Sequence, residues 1–334
     1  MTSDERTRLT AWLRVHAGWE GDDCTLSLIT GGRSNLTYEL RNDNGMRMVL
    51  RMPPKGDGEG RGRALEREFS TLRAVADSNL PVPDAIALCT DPSVVGAPFY
   101  VSSFVDGFVA ASPEDGAKLA PEGRAAASRD VVDRLAELHG LDPAKLGLAG
   151  LGPGKGYLGR QLDRWVERVR AADPVNAPAI AETQRLLAAA VPEESGTSLI
   201  HGDYKFANVM LDPTTGAVRA ILDWELATVG DPLSDLANLL VMWPDPGEDT
   251  RIESPTSTSG FLTRADVVER YAEASGRDLT HLGWYQAFAE WKLACLLVGV
   301  VHRYRSGAME TDGFDIDAST RLVGELAHSA RGHL

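Results

Sequence analysis

Two carboxylates and an amide, carried by the segments LIHGDYKFANVML and ILDWE, are the residues best suited to chemistry in this chain. Asp203 and Asn208 lie five residues apart in a stretch that reads as a loop between two strands, and Asp223 closes the next strand. That spacing lets the two loop side chains point into one cavity, Asp203 toward an acceptor hydroxyl and Asn208 toward a metal ion. Phosphoryl transfer asks for little more: an oriented nucleophile, a fixed hard cation, and neutralisation of the charge that moves with the γ-phosphate. Turn capping would account for either aspartate singly, but not for both together with the asparagine in this order.

The pattern His-Gly-Asp, four residues, Asn, then a strand ending in Ile/Leu-Asp-Trp/Phe resembles the signature of the aminoglycoside phosphotransferase family. Within it, HGDYKFANVMLDPTTGAVRAILDWELATVGDPLSDLANLL is most similar to the branch associated with acyl-CoA dehydrogenase fusions. The likeness runs from the GGRSNLTYEL turn to the closing helices. It implies transfer of the γ-phosphate of ATP to a hydroxyl of a small molecule: aminoglycoside-like, an amino alcohol, a sugar or a hydroxyacyl compound. It also implies that Asp203 is the catalytic base or hydroxyl-orienting group, that Asn208 and Asp223 bind Mg²⁺, and that Lys205 stands near the γ-phosphate. His201 is expected to brace the loop backbone, and Asp235 to bind that backbone from below. Asp231 and Pro232 have a local reason, as N-cap and first residue of a helix.

The N-terminal part should hold the nucleotide. TGGRSNLTY occupies the place of the kinase phosphate-covering loop, so Gly31, Gly32, Ser34 and Asn35 are expected at the phosphates. The cation of the following strand is Arg51 where the family has lysine; arginine keeps the charge and can grip phosphate through two nitrogens. Its helix partner is Glu68 in EREFSTL, with Glu66 as the alternative on a different helix face. The hinge falls at Ser102 to Phe104, and no side chain there distinguishes ATP from GTP. Trp284, Tyr285, Trp291, Lys292, His302 and Arg303 lie beside the expected acceptor cleft, although helical core packing explains most of the aromatics. GLGPGKG is not a P-loop: Ala149 stands where the first glycine belongs, and Gly156 where a hydroxyl should meet the metal.

The elements that must position these groups fall into two blocks. A first helix, capped by Ser3 and stopped at Gly18, precedes strands at 25–29, 36–42 and 46–52, the last two joined by the hairpin signal Asn44-Gly45. A helix with Leu65, Phe69, Leu72 and Ala76 on one face follows, then strands in PVPDAIALC and FYVSSFV. Helices then dominate, near 122–140, 160–173, 177–190, 264–275, 281–305 and 317–332, with one β interruption at 198–200, 208–211 and 218–222. The stretch 147–159 is glycine-rich enough to be a mobile loop. The expected fold is α+β and bilobed, protein-kinase-like: a five-stranded nucleotide-binding lobe over 1–105, and a mainly helical lobe over 106–334 with the catalytic loop and acceptor site.

Composition agrees with a self-sufficient globular chain: 334 residues, 43% apolar and 25% charged. A net charge of −14 argues against nucleic acid and anionic membrane as partners. Cys24, Cys89 and Cys295 show no paired spacing, the N-terminus lacks a secretory apolar run, and the run 293–301 is far short of the roughly 20 residues that span a bilayer. A cytoplasmic location is expected. The competing reading is a nucleotide-binding pseudokinase serving as a regulatory or scaffold module. The intact set of Asp203, Asn208 and Asp223 argues against it, and the short step from Asp223 to Gly230-Asp231-Pro232 leaves no room for the activation segment of a protein kinase.

Overall fold

The structure, a computed structural model, describes residues 1–29, 35–54, 59–173, 175–248, 252–307 and 314–334. Its elements in chain order begin with α1 (Ser3–His16), β1 (Thr25–Leu28), β2 (Leu36–Arg41), β3 (Arg47–Met52), α2 (Glu59–Ala76), β4 (Ala85–Cys89), β5 (Phe99–Ser103) and β6 (Phe108–Val109). They continue with α3 (Pro113–Lys118), α4 (Pro121–Gly140), α5 (Tyr157–Ala172), α6 (Ala177–Ala189), β7 (Ser198–Ile200), β8 (Val209–Leu211), β9 (Val218–Ile221) and β10 (Thr228–Gly230). The last helices are α7 (Leu233–Val241), α8 (Arg264–Ser275), α9 (Leu282–Arg305) and α10 (Ile316–Gly332). The chain folds as two compact units, one of residues 1–108, 209–212 and 218–227, the other of 109–208, 213–217 and 228–334.

In the first unit five strands form an antiparallel sheet in the order β1-β2-β3-β5-β4. Period-two alternation gives the sheet two chemically different faces. Leu50 pairs with Val101 across β3 and β5, and both join Leu9 and Leu13 of α1, Trp19, Leu40 and Phe99 in a core from which water is excluded. Arg51 pairs with Tyr100 one step along, so those two side chains belong to the other face, the one that α2 covers. Helix α2 presents Leu65, Phe69, Leu72 and Val75 from one stripe, and Glu68 falls inside that stripe. Helix α1 is capped by Thr2 rather than Ser3, through a reciprocal capping box with Glu5.

The second unit is mostly helical. Helix α9, whose Trp284, Tyr285, Phe288 and Trp291 are all buried, packs against α5, α6, α7 and α10. Trp284 and Trp291 donate their indole N–H groups to Leu187 and Ile180 carbonyls of α6, which satisfies both polar edges within the core. These aromatics are therefore core residues. The short strand β7 pairs antiparallel with β10, and both belong to this unit. Strands β6 and β10 and helix α3 have no counterpart in the sequence reading, so the single β interruption expected there is incomplete.

The glycine-rich stretch 147–159 is pinned rather than loose. Glu194 accepts the main-chain N–H groups of Gly156 and Leu158 at the start of α5, and Arg160 donates to the Lys155 and Gly154 carbonyls. A carboxylate capping this helix start is what repels a phosphate, consistent with the absence of a P-loop there. No helix among the described residues is long and apolar enough to cross a membrane.

Candidate active site

In the second unit, β7 delivers the chain to His201, and the loop ends in a single 3₁₀ turn at Phe206–Asn208. The Lys205 ammonium donates to both carboxylate oxygens of Asp203, at 3.0 and 2.8 Å. Asn208 Nδ2 donates to the carbonyl oxygen and to Oδ2 of the same aspartate, at 2.9 and 3.0 Å. With its amide nitrogen committed twice, Asn208 keeps Oδ1 as the atom to offer a cation. The Asp203 side chain is 28% exposed, so a solute can reach a carboxylate whose orientation two neighbours already hold.

The loop rests on buried polar groups. Asp235, on the first turn of α7 and 1% exposed, accepts the main-chain N–H of His201 at 2.6 Å and of Gly202 at 2.9 Å. Burial opposes its ionisation, but His139, His201 and the Gly202 amide outweigh that and hold its carboxyl below the usual range. His201 is itself fully buried, and its Nδ1 accepts the Asp203 N–H, the bracing role expected of it. Lys292 of α9 donates to the Gly202 carbonyl at 3.2 Å, Tyr204 to the Val131 carbonyl, and Asn238 to the Tyr204 carbonyl. Asp231 accepts from Ser195, from Tyr285 and from the Leu233 N–H, so it caps α7 from one position further out than the sequence suggests.

The first unit holds a second polar cluster. Arg51, with its side chain 12% exposed, meets Glu68 through Nε at 3.0 Å, and Asp223 and Glu225 through Nη2 at 2.5 and 3.5 Å. Glu68 is the partner, not Glu66, because residues two apart on a helix project about 200° from one another and only Glu68 lies in the buried stripe. Tyr100 donates its hydroxyl to Glu68 Oε1 at 3.0 Å. The Nε contact has ion-pair distance but poor hydrogen-bond alignment, and Glu68 Oε2 is buried without a partner. Three carboxylates around one guanidinium leave the cluster short of positive charge. Burial, with Asp223 and Glu225 adding to it against the pull of Arg51, pushes the Glu68 carboxyl up to about 7. Desolvation works against the charge on Arg51, and its carboxylate neighbours overcome it, holding the guanidinium protonated more firmly than usual.

Asp223 is the one non-glycine residue with positive φ among the described residues, at φ 64° and ψ 65°. Aspartate tolerates this left-handed region better than most residues, and a conformation of that kind concentrates at functional sites. Its surroundings hold it there: Ile221 donates its N–H to Pro81, buried Trp224 returns its indole N–H to the Ile221 carbonyl, and Arg67 of α2 caps the Ala227 carbonyl. Asp223 Oδ1 serves Arg51, which leaves Oδ2 as a hard oxygen for a cation. Asn208 and Asp223 therefore each fit the one-oxygen donor that Mg²⁺ takes when water and phosphate fill the rest of its shell. No group of three or more His, Cys, Asp and Glu among the described residues forms a self-sufficient metal cage.

Gly31, Gly32 and Ser34 lie outside the described residues. Asn35 lies within them and donates to Glu225 Oε2 at 3.4 Å. Ser102 sits in the interior of the sheet, laddered to Val49 on one side and Ala85 on the other, so its main chain is occupied by strand pairing. Phe104 is the first of the expected hinge residues beyond β5, and the Arg47 guanidinium stacks over its ring at 3.5 Å from the centroid. Tyr100 and His139 matter to these clusters without any motif to mark them: only the strand register reveals Tyr100, and only helix packing reveals His139. Glu225 closes the ILDWE segment but had no role assigned to it, and Lys292, expected beside the acceptor cleft, holds the Gly202 carbonyl.

A five-stranded antiparallel sheet with a mostly helical remainder, an Asp-Lys-Asn loop and a strained Asp after a strand define a kinase-like α+β protein. The chain matches the profile of the Phosphotransferase enzyme family (APH) over residues 25–285, and it belongs to that family. It is 32% identical over 308 residues to acyl-CoA dehydrogenase family member 11 of Homo sapiens, a match that covers 90% of this chain and 39% of that protein. The chain thus spans about two-fifths of the length of that relative. A Ralstonia eutropha structure carrying an aminoglycoside phosphotransferase designation superposes with a TM-score of 0.82 at 28% identity, covering 98% of this chain and 97% of that one. An aminoglycoside 2″-phosphotransferase IIIa in complex with GDP and kanamycin shares the fold, with a TM-score of 0.63 at 16% identity and coverage of 97% and 98%. Family and fold together make the chain a phosphotransferase.

Proposed function

We propose that this phosphotransferase moves the γ-phosphate of ATP to a hydroxyl group of a small molecule. The observation that supports this most directly is the Asp203 carboxylate, held by Lys205 and Asn208 yet open to solute. In this reading Asp203 accepts the hydrogen bond of the acceptor hydroxyl and takes its proton as the oxygen attacks phosphorus. Lys205 keeps one N–H beyond the two on Asp203, and that donor is available to a phosphate oxygen. Asn208 Oδ1 and Asp223 Oδ2 would hold Mg²⁺, which when bound neutralises phosphate charge. Arg51 commits Nε and Nη2 to carboxylates and has Nη1 left for the nucleotide phosphates, assisted by Asn35 and, as the sequence leads one to expect, by Gly31, Gly32 and Ser34. The main chain at Phe104 would meet the base.

The acceptor is drawn from hydroxylated amines, aminoglycosides, sugars and hydroxyacyl compounds. Testing it means incubating the purified chain with Mg-ATP and each class, following ADP release, and weighing the product for one added phosphoryl group. Tight Mg-ATP binding with no ADP release for any acceptor would favour a regulatory nucleotide-binding module instead. No nucleotide binding at all would defeat both readings.

A further inference from the structure

Behind the catalytic loop lies a second layer of buried polar groups that no motif marks. His139, on the last turn of α4, has a fully buried side chain whose two ring nitrogens are both engaged. Nδ1 lies 2.6 Å from the Tyr271 hydroxyl of α8, and Nε2 lies 3.5 Å from Asp235 Oδ2, the longer contact of the two. Only one neutral tautomer satisfies both: Nε2 carries the proton toward the carboxylate, and Nδ1 accepts the tyrosine O–H. Burial, resisted by Asp235, holds the ring's proton affinity below the ordinary value, which agrees with a neutral imidazole.

The backbone of His139 is fixed as firmly as its ring. Its carbonyl accepts from Ser198 Oγ and from Arg277 Nη2, both at 2.8 Å, and Arg277 also donates to Ser198 Oγ. Ser198 opens β7, the strand that leads into the loop. Three elements, α4, α8 and β7, therefore converge on one residue, α8 at its ring and β7 at its carbonyl, and its imidazole abuts the carboxylate on which the loop amides hang.

We infer that His139 is a positioning residue for the catalytic loop: it orients Asp235, and through Asp235 the amides of His201 and Gly202, while Tyr271, donating to Nδ1, holds the ring in the orientation that does so. The inference rests on the assignment of Asp203, since the loop matters only if that aspartate meets the acceptor. A carboxylate needs a fixed angle to serve two adjacent N–H groups, and a misplacement of the order of 1 Å at a reacting group costs roughly a hundredfold in rate. A third donor, on the same Oδ2 that accepts the His201 N–H, adds a further restraint on rotation of the carboxylate.

Amide hydrogen exchange of the full chain tests this without reference to substrate. In His139→Asn, which has no atom at the Nε2 position, His201 and Gly202 amides should exchange roughly tenfold faster while core amides of α7 and α9 keep their rates. His139→Gln places an amide donor near Nε2 and should restore slow exchange at those two sites. Tyr271→Phe removes one hydroxyl and should give a smaller acceleration at the same two amides, and it serves where the histidine variants fail to fold. Unchanged local exchange in His139→Asn, uniform acceleration across the unit, or a glutamine variant no better than the asparagine one would each overturn the inference. Hydrolysis of Mg-ATP, with water in place of the acceptor, adds the functional arm. His139→Asn should lower kcat and leave KM for Mg-ATP unchanged, with His139→Gln recovering most of the loss, and a kcat equal to wild type would also overturn it. If the wild-type chain neither binds nor turns over Mg-ATP, the proposed function fails, while the exchange experiment still decides the role of His139.

Discussion

Asp203, Arg51 and Glu68 carry the sharpest expectations at the scale of single residues. Asp203→Asn keeps the shape of the side chain and removes the proton acceptor, so turnover should fall by about 10² or more with nucleotide affinity nearly intact. Turnover within a few-fold of wild type would sink the assignment. Arg51→Ala should weaken ATP binding by roughly ten- to a hundredfold, the value of a charge-assisted contact from a mostly buried guanidinium, and leave adenosine binding unaltered. The same change strands Glu68, Asp223 and Glu225 without their shared cation, so a lowered melting temperature should accompany it. Arg51→Lys should recover only part of both, because an ammonium cannot span the carboxylates that Nε and Nη2 serve together. Glu68 offers a pH signature. With its carboxyl raised from 4.5 to about 7, the folded state keeps a proton that the unfolded chain releases, so stability contributed by this group falls as pH rises through that window. Thermal unfolding of Glu68→Gln from pH 4.5 to 7 should show a flatter profile than wild type. The motif residues were legible in the sequence because their chemistry needs fixed types at short spacing. Tyr100 and His139 were not, since what they touch depends on a strand register and on a helix crossing between residues far apart in the chain.

Turns and strands decide how the reactive groups are held, and the left-handed turn at Asp223 is the most exposed to test. Asp223→Asn and Asp223→Ala both remove the charge that meets Arg51, and both should abolish tight Mg-ATP binding. They should differ in stability by about 1 kcal/mol, alanine being the worse, since asparagine tolerates positive φ and alanine does not. Equal unfolding midpoints would show that the turn relaxes when its ligand role is lost. Element by element, the long amphipathic helices and the β2–β3 hairpin follow from periodicity and from Asn44-Gly45, where Gly45 supplies φ 84°. Strands β6 and β10 have two and three residues, too few to express any period, and only their sheet partners define them. Helix α3, at six residues, is also too short to show a full helical period, although its Ser112 capping box and Pro113 were there to be read.

Over the whole molecule, the net charge of −14 makes the nucleotide approach a surface of its own sign. Raising ionic strength from about 0.01 to about 0.1 M shortens the Debye length from about 30 to about 10 Å, and should tighten binding of metal-free ATP while changing that of Mg-ATP less. Calorimetry at the two salt levels decides this; weaker binding in salt would mean that the local cations outweigh the overall field. The α+β class, with its five strands followed by helices, was visible from the order of elements. The partition of the chain was less so, because residues 209–212 and 218–227 belong with the first unit although the helical segment surrounds them in sequence. The backbone changes unit after 108, 208, 212, 217 and 227. A gene cut at any one of these points therefore frees neither unit on its own: the fragment 1–108 keeps Arg51 and Glu68 but loses the two acids, Asp223 and Glu225, that share its guanidinium, and the fragment 109–334 carries residues 209–212 and 218–227 without the rest of their unit. Since neither unit is one continuous segment, neither can be excised or fused as a separate cassette without taking part of the other with it.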